Sequence, residues 1–208
     1  MKRFTIILLI MVILVSGCSV VRINTKDIDS ILNAVLTKSN KLYNQVGQGY
    51  KYYVPAGVTY IDTDEYTNIL YCEGDYYYLY IDLVNYYYKS KLKYKENSNV
   101  YYSRKLEKKD GFKYPGYLEI TEEKNNMYHI NFMYNYSKVE ALVEKDDLND
   151  SVLNISYILS TIKYNKNVIN MMLDEDYFTN KTGKYNNYKT NDSSNKFKLK
   201  TQKEKKES

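Results

Sequence analysis

The sequence predicts an α+β fold, an antiparallel meandering sheet of about five to eight strands with an N-terminal and a C-terminal helix packed on it. Three observations carry this reading. An apolar stripe at helical spacing runs near each end of the chain, the stretch between them alternates apolar and polar residues, and turn dipeptides break that stretch repeatedly.

The first helix is expected over Asp27–Asn44, where Ile28, Ile31, Leu32, Val35, Leu36 and Leu42 fall on one stripe at i, i+3, i+4 spacing. Asn24 or Thr25 can cap it, Asp27 and Asp29 suit its positive end, and Lys38 and Lys41 lie toward its negative end. Gly47 and Gly49 would close it. Strand patterns follow. Tyr50–Val54 meets a Pro55-Ala56-Gly57 turn and leads to Val58–Ile61. Asn68–Cys72 meets a Gly74-Asp75 turn and leads to the long run Tyr76–Lys89. In that run Tyr77, Leu79, Ile81 and Leu83 share one face, with Tyr76, Tyr78, Tyr80 and Asp82 opposite. Val100–Leu106 and Phe112–Ile120 are joined through Asp110-Gly111, a hairpin signal, and Pro115 points to an edge position or a bulge. Met127–Tyr136 buries Tyr128, Ile130, Phe132 and Tyr134 by alternation, and Val139–Val143 pairs back onto it. A second helix begins near Asp147, with Leu148, Val152, Ile155, Leu159 and Ile162 as its stripe. Val168–Leu173 reads as a short third helix. Residues 26–178 are thus expected to form one domain, and the Lys- and Asn-rich run 179–208, which lacks periodicity, a disordered tail.

Charge is unevenly spread. From Thr179 to Ser208 nine lysines stand against three acids, and Lys2 and Arg3 add two more positive charges at the start. The stretch Ser19–Phe178 carries nineteen basic and twenty-two acidic residues, so it is mildly acidic and offers no electrostatic case for nucleic acid. A cationic tail of that kind is either a solubilising segment shaped by AT-rich coding or one attracted to an anionic membrane or wall polymer. Tyrosine is unusually abundant, at 27 residues with no tryptophan. It can serve as a sticky aromatic contact surface, or simply follow from AT-rich coding that inflates Tyr, Asn, Lys and Ile together.

The first twenty residues carry an address. Met1-Lys2-Arg3 is a short positive region, Phe4–Val15 is a nearly unbroken apolar run, and Ser16-Gly17-Cys18 follows. A twelve-residue helix spans only about 18 Å, short of a hydrocarbon core of about 30 Å, so a permanent transmembrane anchor is disfavoured. Val15-Ser16-Gly17-Cys18 resembles the lipobox of bacterial lipoprotein precursors at all four positions, with valine in place of the commoner leucine. The resemblance covers only these residues. It implies diacylglycerol transfer to the Cys18 thiol, cleavage between Gly17 and Cys18, and a lipid-anchored protein on the outer face of a cell membrane. Residues 1–17 would then be a signal peptide and 18–25 a lipidated tether. More than one acyl chain holds a protein durably on a bilayer, whereas a single chain does so only marginally.

Catalytic patterns are sparse. His129 is the only histidine, which removes His-pair and His-rich metal sites, and alternation turns it away from Tyr128 and Ile130. Cys72 lies in the apolar stretch Ile69-Leu70-Tyr71-Cys72, where buried packing is the expected role. Gly47-Gln48-Gly49 precedes strand-like tyrosines and lacks a third glycine, so it fails as a phosphate loop. Asp62, Asp64, Asn68 and Glu73 stand at calcium-loop spacing, but Tyr66 and Thr67 occupy the positions of a ligand and of the sharp-turn glycine. Asp146-Asp147 and Asp174-Glu175-Asp176 read as helix caps or solvated turns. No cofactor or metal is implied. The expected function is a membrane-anchored binding or accessory module of the cell envelope, contacting lipid through Cys18 and an unidentified envelope protein or ligand through a tyrosine-rich sheet face. The alternatives are an envelope hydrolase using paired carboxylates and a small tethered solute-binding protein.

Overall fold

The structure, a computed structural model, describes residues 25, 27–64 and 67–174. The expected signal segment with Gly17, the lipid site Cys18, the tether as far as residue 24 and the tail from 179 lie outside the described residues.

The α+β class is as the sequence predicts: among the described residues, two antiparallel sheets are packed with four α-helices. The first helix, α1, runs Ile28–Leu36 and buries Ile28, Ile31, Leu32, Val35 and Leu36. Its cap is Asp27, whose Oδ2 accepts from the Ser30 amide at 3.0 Å, and not Asn24 or Thr25. The helix also stops eight residues before the expected end at Asn44. The run Thr37-Lys38-Ser39-Asn40 offers the backbone local side-chain partners in place of the next turn. Thr37 Oγ1 donates to the Asn33 carbonyl at 2.6 Å, and Asn40 Oδ1 accepts from the Leu42 amide at 3.0 Å. Leu42, expected on the buried stripe, is therefore 55% exposed. Gly47 and Gly49 close no helix; Gly47 ends β1 (Gln45–Gly47), and Gly49, at φ 83°, lies in the two-residue turn to β2 (Tyr50–Tyr52).

β3 (Thr59–Asp64), β4 (Thr67–Cys72) and β5 (Asp75–Ile81) form the first meander of the large sheet. The β4–β5 turn is Glu73-Gly74 rather than Gly74-Asp75, with φ of 47° and 111°. Positive φ at both central positions is what a two-residue hairpin demands, and glycine meets it without strain. The long run from Tyr76 does not continue to Lys89. Asp82 instead caps α2 (Leu83–Tyr88), accepting from the Asn85 amide at 2.8 Å, while its own amide donates to Tyr136 O. Leu83 is buried from this helix, not from the strand.

The second meander is β6 (Tyr102–Leu106), β7 (Gly116–Glu122), β8 (Met127–Tyr134) and β9 (Ser137–Glu144). A 3-10 turn at Lys108–Asp110 and Gly111 joins β6 to β7, and Pro115 sits just before β7 rather than at an edge or bulge within it. The sheet order is β3-β4-β5-β9-β8-β7-β6, so the two meanders meet where β5 pairs with β9. β8 alternates as expected, with Tyr128, Ile130, Phe132 and Tyr134 inside. It ends at Tyr134, because Asn135 and Tyr136 form the turn with φ of 52° and 59°.

α3 (Leu148–Thr161) lays its expected stripe against β8, β9 and α1. The core beneath is filled by Ile31, Leu32, Leu79, Ile130, Phe132, Val139, Val152 and Ile155, all at 0% exposure. The short strand β10 (Lys163–Tyr164) follows and pairs with β2, completing a small sheet of order β1-β2-β10 that the sequence pattern does not announce. The last described helix, α4, is Lys166–Asp174.

Tyrosine hydroxyls act as joints throughout. Tyr77 donates to Ser151 Oγ at 3.0 Å, tying β5 to α3. Tyr134 donates to the Leu36 carbonyl at 3.1 Å, capping the end of α1 from β8. Asn68, on the inner face of β4, accepts from Tyr50 and Tyr52 at 3.3 and 3.2 Å and so links the small sheet to the large one.

Candidate binding surface

A group of lysines lies where α1 and α3 end side by side. Lys38 comes two residues after α1, Lys163 two after α3, and Lys113 from the segment before β7. Together with Tyr114, Tyr134 and Leu36 they line a shallow, narrow cleft open to solvent. No acid lines it. Lys41 and Lys51 stand close by: burial first, and then the neighbouring ammonium groups of Lys51, Lys41 and Lys113, hold the Lys163 amine below the usual lysine range. The described ion pairs use Arg104, Lys105, Lys109 and Lys138, so none of these five lysines has a carboxylate partner among the described residues. The C-terminal ends of two helices, which carry partial negative charge, offset part of the repulsion.

The small sheet extends this surface. Registers Val46↔Lys51 and Lys51↔Lys163 set Val46, Lys51 and Lys163 in one row across it. Tyr50 and Tyr52 point inward from β2, so that row faces out. The loop after α1 brings Leu42 and Tyr43 to the same region, with Lys51 Nζ 3.8 Å above the Tyr43 ring. Leu42, Tyr43 and Val46 are 55%, 53% and 74% exposed. The result is a short apolar tip beside a lysine cluster.

No family model matches the chain, and no curated protein or solved structure is detectably similar to it.

The residues singled out from sequence are dispersed. Cys72 packs in the main core at 8% exposure, its thiol pushed up by burial, with the Asn154 amide 3.7 Å from the sulfur. His129 lies half-buried on the outer face of β8, opposite Thr121 and Leu142. The calcium-type positions do not form a loop. Asp62 and Asp64 are exposed on β3, Glu73 is in a turn, and Asn68 turns inward to Tyr50 and Tyr52. Asp147 precedes α3 and Asp174 ends α4, while Glu175 and Asp176 lie outside the described residues. No described helix is long and apolar enough to cross a membrane.

On the tyrosine-rich face of β5, two of the three tyrosines are buried. Tyr78 and Tyr80 are 4% and 6% exposed and form a second small apolar cluster with Ile69, against which Tyr76 packs. Farther along the same face, Tyr94 stacks on Tyr117 with ring centroids 4.1 Å apart and donates to Glu119 Oε2 at 2.9 Å. Among the described residues, Asp75 feels the charges of Glu144 and Asp147. Burial, reinforced by the other two charges, pushes Asp75 up to about 6. The lysine cleft contains none of them.

Lys51, Lys113 and Lys163 carried no signal in the sequence. They lie far apart in the chain, and the pairing of β10 with β2 and the meeting of the segment before β7 with the end of α1 through Tyr134 bring them together.

Proposed function

We propose that this chain is a lipid-anchored binding module of a bacterial cell envelope, held on the outer face of the cytoplasmic membrane through Cys18 and engaging an anionic partner through its lysine surface. The leader and lipobox support the address. The observation that carries the binding role is a cluster of five lysines, three of them lining the cleft, that have no carboxylate partner among the described residues. Like charges held together at the surface raise the free energy of the unliganded state, and an anion relieves that repulsion. Lysine presents a compact, hydrated point charge on a flexible stem, which suits a surface that follows a polyanion rather than one shaped for a single small molecule.

Expression in a bacterium that processes lipoproteins tests the anchor, with wild type beside Cys18→Ala. Wild type should lose the mass of residues 1–17, gain the mass of acyl chains and fractionate with membranes, whereas Cys18→Ala should retain its leader and gain no lipid. Identical masses for the two proteins would overturn the lipoprotein reading.

A further inference from the structure

We infer that the partner of the lysine surface is the anionic bilayer itself, with Leu42, Tyr43 and Val46 seated among the lipid headgroups and Lys38, Lys41, Lys51, Lys113 and Lys163 on the phosphates around them. This rests on the anchored reading above and adds a second point of membrane contact, made by the folded domain.

The argument is one of complementarity. A soluble polyanion would account for the lysines but not for the apolar tip beside them. Val46 is 74% exposed at the edge of the small sheet, and Leu42 is 55% exposed because the helix that would have buried it stops at Leu36. An apolar and aromatic tip rimmed by lysines is what a bilayer interface accommodates, since the acyl boundary takes the side chains while lipid phosphates take the ammonium groups. Tyrosine suits the headgroup level because one end of its ring is apolar and the other wet. In Tyr43 the Lys51 ammonium already sits over the ring, which keeps charge and aromatic surface at the same depth.

The chain length permits this pose. Eight residues separate Cys18 from Asp27, enough to span about 27 Å when extended. The nine residues of α1 measure only about 13 Å from the capped start to the end that carries the lysine cluster. A lipid at Cys18 and the tip at Leu42 can therefore reach one membrane together. Each contact raises the effective concentration of the other.

The chain has no tryptophan, so Tyr43→Trp places a single reporter at the tip. The full chain, purified from a lipoprotein-processing bacterium, is reconstituted in vesicles of phosphatidylcholine with or without phosphatidylglycerol. The proposal expects the emission to shift to shorter wavelength, and brominated acyl chains to quench it, only when phosphatidylglycerol is present. High salt should reverse the shift, and Lys38→Glu, Lys41→Glu and Lys51→Glu together should weaken it by about tenfold or more. Val46→Trp, at a more exposed position, must report the same. A tryptophan that keeps its water-exposed emission in both variants overturns the proposal, as does one that responds to inorganic polyphosphate but not to vesicles. Intact mass of the same preparation shows separately whether Cys18 carries lipid. A lipidated protein with a silent reporter thus sinks the docked face alone, and a responding reporter on an unlipidated protein sinks the anchor alone.

Discussion

At the scale of single residues, polar groups in this fold are placed where charge or a hydroxyl has consequences. Asp75 opens β5 directly after the Glu73-Gly74 turn, with Glu144 and Asp147 as its charged neighbours. Burial and those two charges raise it to about 6, so the folded state holds the proton more tightly than the unfolded chain does. Its stabilising contribution is therefore complete below about pH 4 and is lost as pH rises through about 6. Asp75→Asn should raise the unfolding midpoint at pH 7.5, by no more than about 1 kcal/mol once solvent screening is allowed for. The advantage over wild type should vanish near pH 4, and a difference that stays constant with pH would contradict the assignment. The tyrosines show how far composition can be read. Their number is plain in the sequence, and alternation marks Tyr77, Tyr128 and Tyr134 as inward. Alternation also marks Tyr78 and Tyr80 as outward, yet both are buried, because the outer face of the sheet has an apolar cluster of its own.

At the scale of elements, periodicity locates stripes well and ends poorly. The stripes of α1 and α3 were legible because each is repeated over more than two turns and finds the same core. The end of α1 was not, because Leu42 keeps the helical spacing in sequence while Thr37 and Asn40 turn the backbone away. The β5–α2 boundary failed for a related reason. Tyrosine and valine suit a strand, whereas the Asp82 carboxylate, accepting from the Asn85 amide and side chain, caps Leu83–Tyr88 as a helix. The cap of α1 can be tested directly. Asp27→Ala removes the acceptor for both the Ser30 amide and hydroxyl and should lower the melting temperature by a few °C, whereas Thr25→Ala should leave it unchanged. Equal effects from the two substitutions would move the cap back to the position first expected from sequence.

At the scale of the whole molecule, two sheets and four helices are joined by few polar ties, and the ties cross long sequence separations. Asn68 accepts hydroxyls from β2, and Thr161 Oγ1 accepts the Tyr53 amide at 3.0 Å, so the small sheet is bound both to the large sheet and to α3. Asn68→Leu leaves buried tyrosine hydroxyls without their acceptor and should cost about 1–3 kcal/mol. Near-ultraviolet tyrosine dichroism and far-ultraviolet dichroism should still lose signal in one coincident transition, whereas two separated transitions would show that the sheets fold independently. The lysine surface belongs to this scale as well, which is why no local pattern revealed it. So do the two open borders of the large sheet. On β6 the Lys105 amide donates to Glu96 Oε1 at 2.8 Å, and β3 breaks register between Tyr60 and Asp62 and carries Asp62 and Asp64. A strand from a second copy meets a spent donor on one side and a kinked, negatively charged margin on the other. In the proposed membrane-anchored state, where neighbours confined to a plane meet far more often than in free solution, such molecules can crowd without knitting into fibres.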